Sequence, residues 1–291
     1  MLSPVAYNSR NAFSVEGISS HDTDTYEFVL DVQRVQRLLG IEDDGKLGPK
    51  TICAWRQHIK TKGDKIGLDK LKISEMISRF EGKAWSVNRD GEFRGLFGKD
   101  HWAYQKTHIG LSFGTHQFTQ SGGSLGRLLK KMHKANPAEF EKRMGPHWKE
   151  LISVTNKFAG ISRSGRNRRV QKVGGYDLWE DYWVDRLVSA VRNVPEFVTC
   201  QRELAIEEYM NPALKNAKKL GISTERGIAI LFDRSVQYGP SGAVKLFNKK
   251  IKIESEMLWD MYTRHSSRSW SHRTLKLWRS SDLSDNPVAK I

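Results

Sequence analysis

The chain has 291 residues, of which 38% are hydrophobic, so it is long enough to bury a substantial core. Its formal net charge of +15 at pH 7 favours anionic partners such as cell-wall polymers, other anionic envelope polymers or nucleic acids. Most basic residues are dispersed along the chain, which argues against a specific nucleic-acid-binding groove. An apolar run of about 18 residues is absent, which excludes a membrane-spanning helix of ordinary length.

Cysteine usage and the first residues bear on compartment and chemistry. Cys53 and Cys200 provide neither a disulfide framework nor the spacing of a metal site. No cofactor motif is present, so we expect neither a cofactor nor a metal, and we expect a monomer. Residues 1–24 are polar and without periodicity, which predicts an irregular arm. The arm lacks the apolar segment of a secretory signal, so we expect synthesis in a cytoplasm.

Two short helices are predicted after the arm. Apolar residues repeat at helical spacing within residues 28–39 and again within residues 52–59. The loop between the helices has glycines that permit a tight turn and a proline that favours a helix start: Asp44, Gly45, Gly48 and Pro49. A Lys-, Gly- and Asp-rich linker is expected at residues 61–69.

This helix–loop–helix resembles the small peptidoglycan-binding domain of many cell-wall hydrolases. The resemblance includes the entry Gln36 to Gly40 and the Asp-Gly-x-x-Gly-Pro-x-Thr pattern of the loop. It implies that residues 25–68 form a wall-binding domain in which Asp44, Gly45 and Gly48 contact the wall. A generic helix–loop–helix is the alternative interpretation.

A third helix is expected to end at Glu81. Ile73, Met76, Ile77 and Phe80 lie on one helical face, and Gly82 can end the helix. A helix C-terminus disfavours negative charge by about 0.3–1 kcal/mol, which favours a protonated Glu81. A protonated carboxyl group can donate to a leaving oxygen, as in glycosidases. The alternative is a solvated helix end without a catalytic role.

The region after Glu81 combines acidic residues with glycines. Residues 88–92 form a polar turn with two acids, and residues 107–118 alternate glycines with apolar and hydroxyl residues. Such a glycine-containing run is typical of a short hairpin or of a loop lining a cleft, where a substrate approaches the backbone.

Glu81-Gly82, Asp90 and Thr107 resemble the Glu, Asp and Thr of phage-type lysozymes in the lysozyme-like superfamily. Residues 110–119 and 124–126 are also similar to chitosanase-like and transglycosylase-like enzymes. The resemblance implies Glu81 as general acid, Asp90 as second carboxylate and Thr107 as the residue that positions water. It further implies substrate-binding roles, for which the candidates are Glu92, Ser112 and Gln117.

The identity of the second carboxylate stays open at this point. The chain between Asp90 and Thr107 is longer than in compact phage lysozymes, so Asp90, Glu92 and Asp100 are all candidates.

The remainder of the chain is predicted to be mostly helical. The expected fold class is therefore mainly α (α+β), with a wall-binding domain at 25–68 and a two-lobed lysozyme-like catalytic domain at 69–291 that contains a short β-hairpin region. A basic exposed loop is expected at residues 160–175. Asp233, Arg234 and Gln237 resemble cleft-facing polar residues of the second lobe, with a buried ion pair as the alternative.

The sequence thus predicts a modular muramidase that resembles phage endolysins and cuts the β-1,4 glycan strand of peptidoglycan. By analogy with that family, it would be made in a host cytoplasm and act at the bacterial wall. A lytic transglycosylase or a chitosanase of the same fold is the first alternative. A cationic protein attracts the cationic chitosan polymer poorly, which disfavours the chitosanase. A non-catalytic wall-binding protein is the second alternative.

Overall fold

The computed structural model describes residues 25–89, 111–120, 122–156, 172–178, 180–266 and 270–290. Within these ranges the protein is mainly helical, with two small antiparallel sheets. This confirms the mainly α (α+β) class and its short β region. The arm at 1–24 and most of the basic segment at 160–175 lie outside the described residues.

The helices in chain order are α1 (Thr25–Leu38), α2 (Pro49–Lys62), α3 (Lys70–Glu81), α4 (Ser124–Ala135), α5 (Pro137–Met144), α6 (Trp148–Asn156), α7 (Asp181–Asn193), α8 (Pro195–Ala205), α9 (Asn211–Leu220), α10 (Glu225–Val244), α11 (Glu254–Arg264) and α12 (Ser271–Arg279). The strands are β1 (Val87–Arg89), β2 (Leu111–Phe113), β3 (Phe118–Thr119), β4 (Lys172–Val173) and β5 (Tyr176–Asp177). A π-helical turn, Ile206–Met210, connects α8 to α9. In the part of the chain described here, no helix is long and apolar enough to cross a bilayer.

The chain divides into two compact units. The first unit combines Met1–Asp69 with Tyr209–Ile291, and the second is Lys70–Glu208. The sequence interpretation instead kept residues 69–291 together and apart from residues 25–68. The two divisions share a boundary near residue 69, but the structure groups the N-terminal helices with the C-terminal ones. The packing of segments that are far apart in the chain leaves no local pattern in a sequence. The wall-binding role of residues 25–68 stays a prediction.

The loop between α1 and α2 is organised by the side chain of Gln36, which is 1% exposed. Its Nε2 donates to Asp44 Oδ1 at 2.8 Å, to Thr51 Oγ1 at 2.9 Å and to the Lys46 carbonyl at 3.1 Å. Its Oε1 accepts from the Gly45 N–H at 2.9 Å. A buried amide that satisfies several loop groups at once gives these motif residues a structural role.

The three candidate wall-binding residues differ in their surroundings. Asp44 is exposed. The pKa of its carboxyl group is lowered, first by the hydrogen bond from the Lys46 backbone N–H and then by that from the Gln36 side chain. Gly45 has φ +70°, and a Cβ there would lie 2.7 Å from Val29 Cγ1, so glycine is required. Gly48 has φ −93° and ψ 179°, an extended conformation open to other residues. The tight turn expected of both glycines therefore depends on Gly45 alone.

Helix α2 contacts the C-terminal part of the first unit through an ion pair between a partly exposed lysine and a buried glutamate. Lys60 Nζ lies 2.7 Å from Glu254 Oε2, and Glu254 is 2% exposed. Glu254 also accepts from the Thr224 hydroxyl at 2.6 Å, the Thr224 N–H at 3.2 Å and the Ser223 N–H at 2.9 Å. A buried carboxylate needs such partners to offset the loss of hydration.

A second buried contact of α2 involves Arg56, whose guanidinium carbon lies 3.7 Å from the centre of the Trp278 ring. Arg56 also donates to the Trp278 carbonyl, and its Nε lies 3.6 Å from Asp285 Oδ2. Burial, together with the nearby charge of Arg226, lowers the pKa of Arg56 to about 9. Helix α2 is therefore part of the core of the first unit.

The first unit also contains a buried cluster of charged residues. Asp233 and Arg234 are fully buried and form an ion pair, and Arg273 contacts the same carboxylate. The guanidinium carbon of Arg234 lies 3.9 Å from the centre of the Trp270 ring. Of the two interpretations of this segment, the structure shows the buried ion pair, while Gln237 is exposed.

The second unit has a helical core formed by α4, α6, α7 and α8 together with α5. Its fully or nearly fully buried side chains include Leu125, Leu128, Leu129, Met132, Phe140, Met144, Leu151, Trp183, Leu187 and Phe197. The Trp183 indole donates to the Val173 carbonyl at 3.1 Å, which satisfies its only polar group and ties β4 to α7. This core supports the segment that carries Glu81.

Candidate functional site in the second unit

Glu81 is the last residue of α3, as the sequence predicts. The helix is anchored by Ile73 and Ile77, both at 0% exposure, and it packs against α8. The Glu81 side chain is partly exposed, while the opposite face of the helix is buried. A carboxyl group at the end of a firmly packed helix is held close to one position, so little further ordering is needed when a substrate binds.

A tight turn follows Glu81 and is closed by Ser86. The Lys83 N–H donates to Ser86 Oγ at 2.7 Å, and the Ser86 N–H donates to the Lys83 carbonyl at 2.9 Å. Gly82 has φ +155°, and a Cβ there would lie 2.5 Å from Ser86 Oγ. The glycine thus allows the chain to turn away from the helix immediately after Glu81.

The predicted hairpin is present as part of a three-stranded antiparallel sheet in the order β1-β2-β3. Val87 pairs with Phe113, and Phe113 pairs with Phe118. Residues 114–117 turn between β2 and β3, and the Gly114 N–H donates to the Ser86 carbonyl at 2.8 Å. The turn at residues 114–117 is therefore hydrogen-bonded to the turn that follows Glu81.

Gln117, one of the predicted substrate ligands, lies close to this helix end. It has a left-handed backbone with φ 49°, and its Nε2 donates to the Gly114 carbonyl at 3.0 Å. The same Nε2 would be 3.7 Å from a Cβ built on Gly82. The structure therefore brings Gln117 next to the residue that follows Glu81. Its role as a sugar ligand stays a prediction.

Ser112 lies in the middle of β2 and is 1% exposed. Its Oγ has no hydrogen-bond partner within the described ranges. A buried hydroxyl without a partner loses about 1–3 kcal/mol. Its predicted contact with substrate stays a prediction.

Sequence reasoning missed Gln201, a residue of α8 with 0% exposure that connects the two turns. Its Oε1 accepts from the Thr115 N–H at 2.8 Å, and its Nε2 donates to the Ala84 carbonyl at 2.9 Å. A Cβ on Gly114 would lie 2.4 Å from Gln201 Oε1, so glycine at this position makes room for the amide. No local pattern marks a partner that is 117 residues from Ala84.

His116 also holds the turn at residues 114–117 in place. It is 2% exposed, and its Nε2 lies 3.4 Å from Ser74 Oγ of α3. Its Nδ1 lies 3.0 Å from Thr115 Oγ1. The turn is thereby fixed to both α3 and α8, and the backbone near Glu81 is preorganised.

Several predicted site residues lie outside the described residues, namely Asp90, Glu92, Asp100 and Thr107. The choice of second carboxylate therefore stays as open as the sequence left it. Among the described residues, no group of three or more His, Cys, Asp or Glu side chains could hold a metal ion.

We expect Gln201→Leu to destabilise the second unit, because it leaves a buried N–H and a buried carbonyl without partners. Each such group costs about 1–3 kcal/mol. Urea unfolding of the full chain measures the loss. Gln201→Glu keeps the acceptor for Thr115 but places a buried carboxylate oxygen against the Ala84 carbonyl oxygen, so it should also destabilise the second unit. Equal stability of Gln201→Leu and the parent would contradict this assignment.

Comparison with known proteins finds only solved structures of low sequence identity to this chain. No protein-family model matches it, and no curated protein matches it significantly. A solved structure of native chitosanase from Bacillus subtilis MY002 is 19% identical, with a TM-score of 0.45 over 73% of this chain and 85% of that chain. A mutant of that chitosanase complexed with 6 GlcN is 18% identical, with a TM-score of 0.43 over 73% of this chain and 85% of that one.

A chitosanase from Gynuella sunshinyii in complex with chitotetraose is also similar. It is 15% identical, and the match has a TM-score of 0.46 over 74% of this chain and 89% of that chain. With identities this low and TM-scores below one half, these likenesses decide neither the activity nor the substrate of the present chain.

Proposed function

We propose that the chain is a glycoside hydrolase that cleaves the β-1,4 glycan strand of peptidoglycan with Glu81 as general acid. The observation that carries the proposal is the pair of turns at the end of α3. A partly exposed carboxyl group ends a firmly packed helix, and the turn at residues 114–117 is fixed beside it by Gln201 and His116. Gly114, Thr115 and His116 are buried, and the side chain of Gln117 is the part of this turn that is partly exposed next to the helix end.

In the proposed reaction, the Glu81 carboxyl group donates its proton to the glycosidic oxygen as the bond from that oxygen to the anomeric carbon breaks. Positive charge develops on the sugar ring, and a second carboxylate either stabilises it or removes a proton from the attacking water. Asp90 is the preferred candidate for that carboxylate, from the phage-lysozyme resemblance. If the second carboxylate stabilises the charge, Glu81 takes the proton of the attacking water; if the second carboxylate takes that proton, it releases it to solvent and Glu81 regains one from solvent.

The choice of peptidoglycan depends on the N-terminal segment and on charge. Residues 25–68 resemble a peptidoglycan-binding domain, and the net charge of +15 attracts an anionic wall rather than a cationic glucosamine polymer. We further propose cytoplasmic synthesis followed by action at the bacterial wall.

Mass spectrometry of digested glycans tests this function. We expect purified peptidoglycan to yield fragments with reducing-end muramic acid. 1,6-Anhydro-muropeptides as the main product would indicate a lytic transglycosylase, and cleavage of chitosan alone would indicate a chitosanase. Binding to peptidoglycan without any cleavage would favour the non-catalytic alternative.

A further inference from the structure

An exposed tryptophan with two cations lies directly after the proposed catalytic residue. Trp85 is 38% exposed and belongs to the tight turn that follows Glu81. Lys83 Nζ lies 5.5 Å from the centre of its ring, and the guanidinium carbon of Arg192 lies 5.3 Å from the same centre. The exposed part of the indole ring is a surface on which the apolar face of a ligand can stack.

Within the described ranges, the two cations have no carboxylate partner. Both side chains are exposed, and neither forms an ion pair with a carboxylate in the part of the chain that the structure describes. Other basic residues of the second unit do form such pairs, for example Arg127 with Glu208 and Lys131 with Glu207. Since Lys83 and Arg192 lie over one ring, they repel each other, and an anion beside Trp85 would relieve that repulsion.

The three side chains come from two different elements. Lys83 and Trp85 belong to the turn after α3, whose shape is fixed by the hydrogen bond from Gln201 to the Ala84 carbonyl. Arg192 belongs to the last turn of α7, a helix with a fully buried face. The grouping is therefore a product of tertiary packing and is held in place on both sides.

The distance to Glu81 is limited by the chain itself. Four residue steps separate Trp85 from Glu81, so their Cα atoms lie at most about 14 Å apart. A glycan strand whose scissile bond meets Glu81 can reach Trp85 with a neighbouring sugar.

We propose that Trp85, Lys83 and Arg192 form a sugar subsite for a carboxylate-bearing residue of the glycan, of the muramic acid type. The proposal rests on the proposed function, since it assigns the substrate class of the same site. The indole covers the apolar face of the sugar, and the two cations pair with its carboxylate. A glucosamine residue, which carries an ammonium group, would be repelled at this subsite.

Calorimetric titration of the full chain carrying Glu81→Gln, which slows cleavage, tests the proposal. Three tetrasaccharides serve as probes: neutral N-acetylglucosamine, cationic glucosamine, and alternating N-acetylglucosamine and N-acetylmuramic acid. We expect the anionic probe to bind about three- to tenfold more tightly than the neutral one, and the cationic probe to bind most weakly. This preference should disappear at about 1 M salt, where charges are screened over about 3 Å.

Adding Lys83→Gln and Arg192→Gln together should remove the preference by lowering the affinity for the anionic probe to that for the neutral probe. A charge-matched control replaces Lys130 and Lys149, two exposed lysines of the same unit, of which Lys149 also lies 5.3 Å from the centre of a tryptophan ring. The control should keep the preference. Trp85→Ala should weaken binding of the anionic and neutral probes alike.

Equal affinity of the parent background for anionic and neutral probes would overturn the subsite. A preference that survives Lys83→Gln with Arg192→Gln, or that is lost equally in the control, would also overturn it. Failure of the proposed function is recognised separately, because it appears as undiminished cleavage by the Glu81→Gln protein in mass spectra and not as a change in relative affinity.

Discussion

Glu81→Gln is expected to lower the rate of peptidoglycan cleavage by about 10²–10⁴-fold, the usual contribution of general acid catalysis. Glutamine keeps the shape and most of the packing of glutamate but has no proton to donate at the pH of the assay. Because the side chain is only partly buried at a helix end, the free energy of unfolding should change little. Release of soluble muropeptides measures the rate, and thermal unfolding monitors the fold.

A matched control is available on the same helix. Glu75 is exposed on α3 and forms an ion pair with Arg202 at 3.3 Å. Exposed pairs of this kind contribute about 0–1 kcal/mol, so Glu75→Gln should keep nearly full activity. A cleavage rate of the Glu81→Gln protein within tenfold of that of the Glu75→Gln control would contradict the assignment of Glu81 as general acid.

Deletion of residues 1–68 is expected to unfold the first unit rather than to remove a detachable binding domain. The deletion takes Lys60 from buried Glu254 and Arg56 from Trp278 and Asp285. Breaking a buried ion pair by removing one partner costs about 3–5 kcal/mol, a large part of the 5–15 kcal/mol that stabilises a typical domain. Circular dichroism of the deletion variant should show the loss of helical structure.

A point substitution tests the same contact without shortening the chain. Lys60→Met removes the cation beside Glu254 but leaves the hydrogen bonds from Thr224 and Ser223. It should lower the free energy of unfolding clearly more than Lys62→Met, since Lys62 is exposed on the same helix. A deletion variant that melts like the full chain and loses only attachment to intact walls would support an independent binding domain instead.

The sequence alone determined features that depend on near neighbours. The end of α3 at Glu81 follows from apolar spacing and from Gly82, and the structure has the helix end there. The hairpin between β2 and β3 was visible in the alternation of glycines with apolar residues, and Gly114 and Gln117 occupy its turn. Helix periodicity and turn propensity act over a few residues, so a sequence displays them directly.

Only the tertiary structure decided how distant segments meet. The Gln201 amide fixes two turns that precede it by 86 and 117 residues, and nothing near Gln201 in the sequence marks its partners. The first helices looked like a separate domain, yet α2 supplies the partly buried Lys60 to Glu254 and the buried Arg56 to Asp285. Burial of a charged residue depends on which surfaces come together in three dimensions, and composition and periodicity do not contain that information.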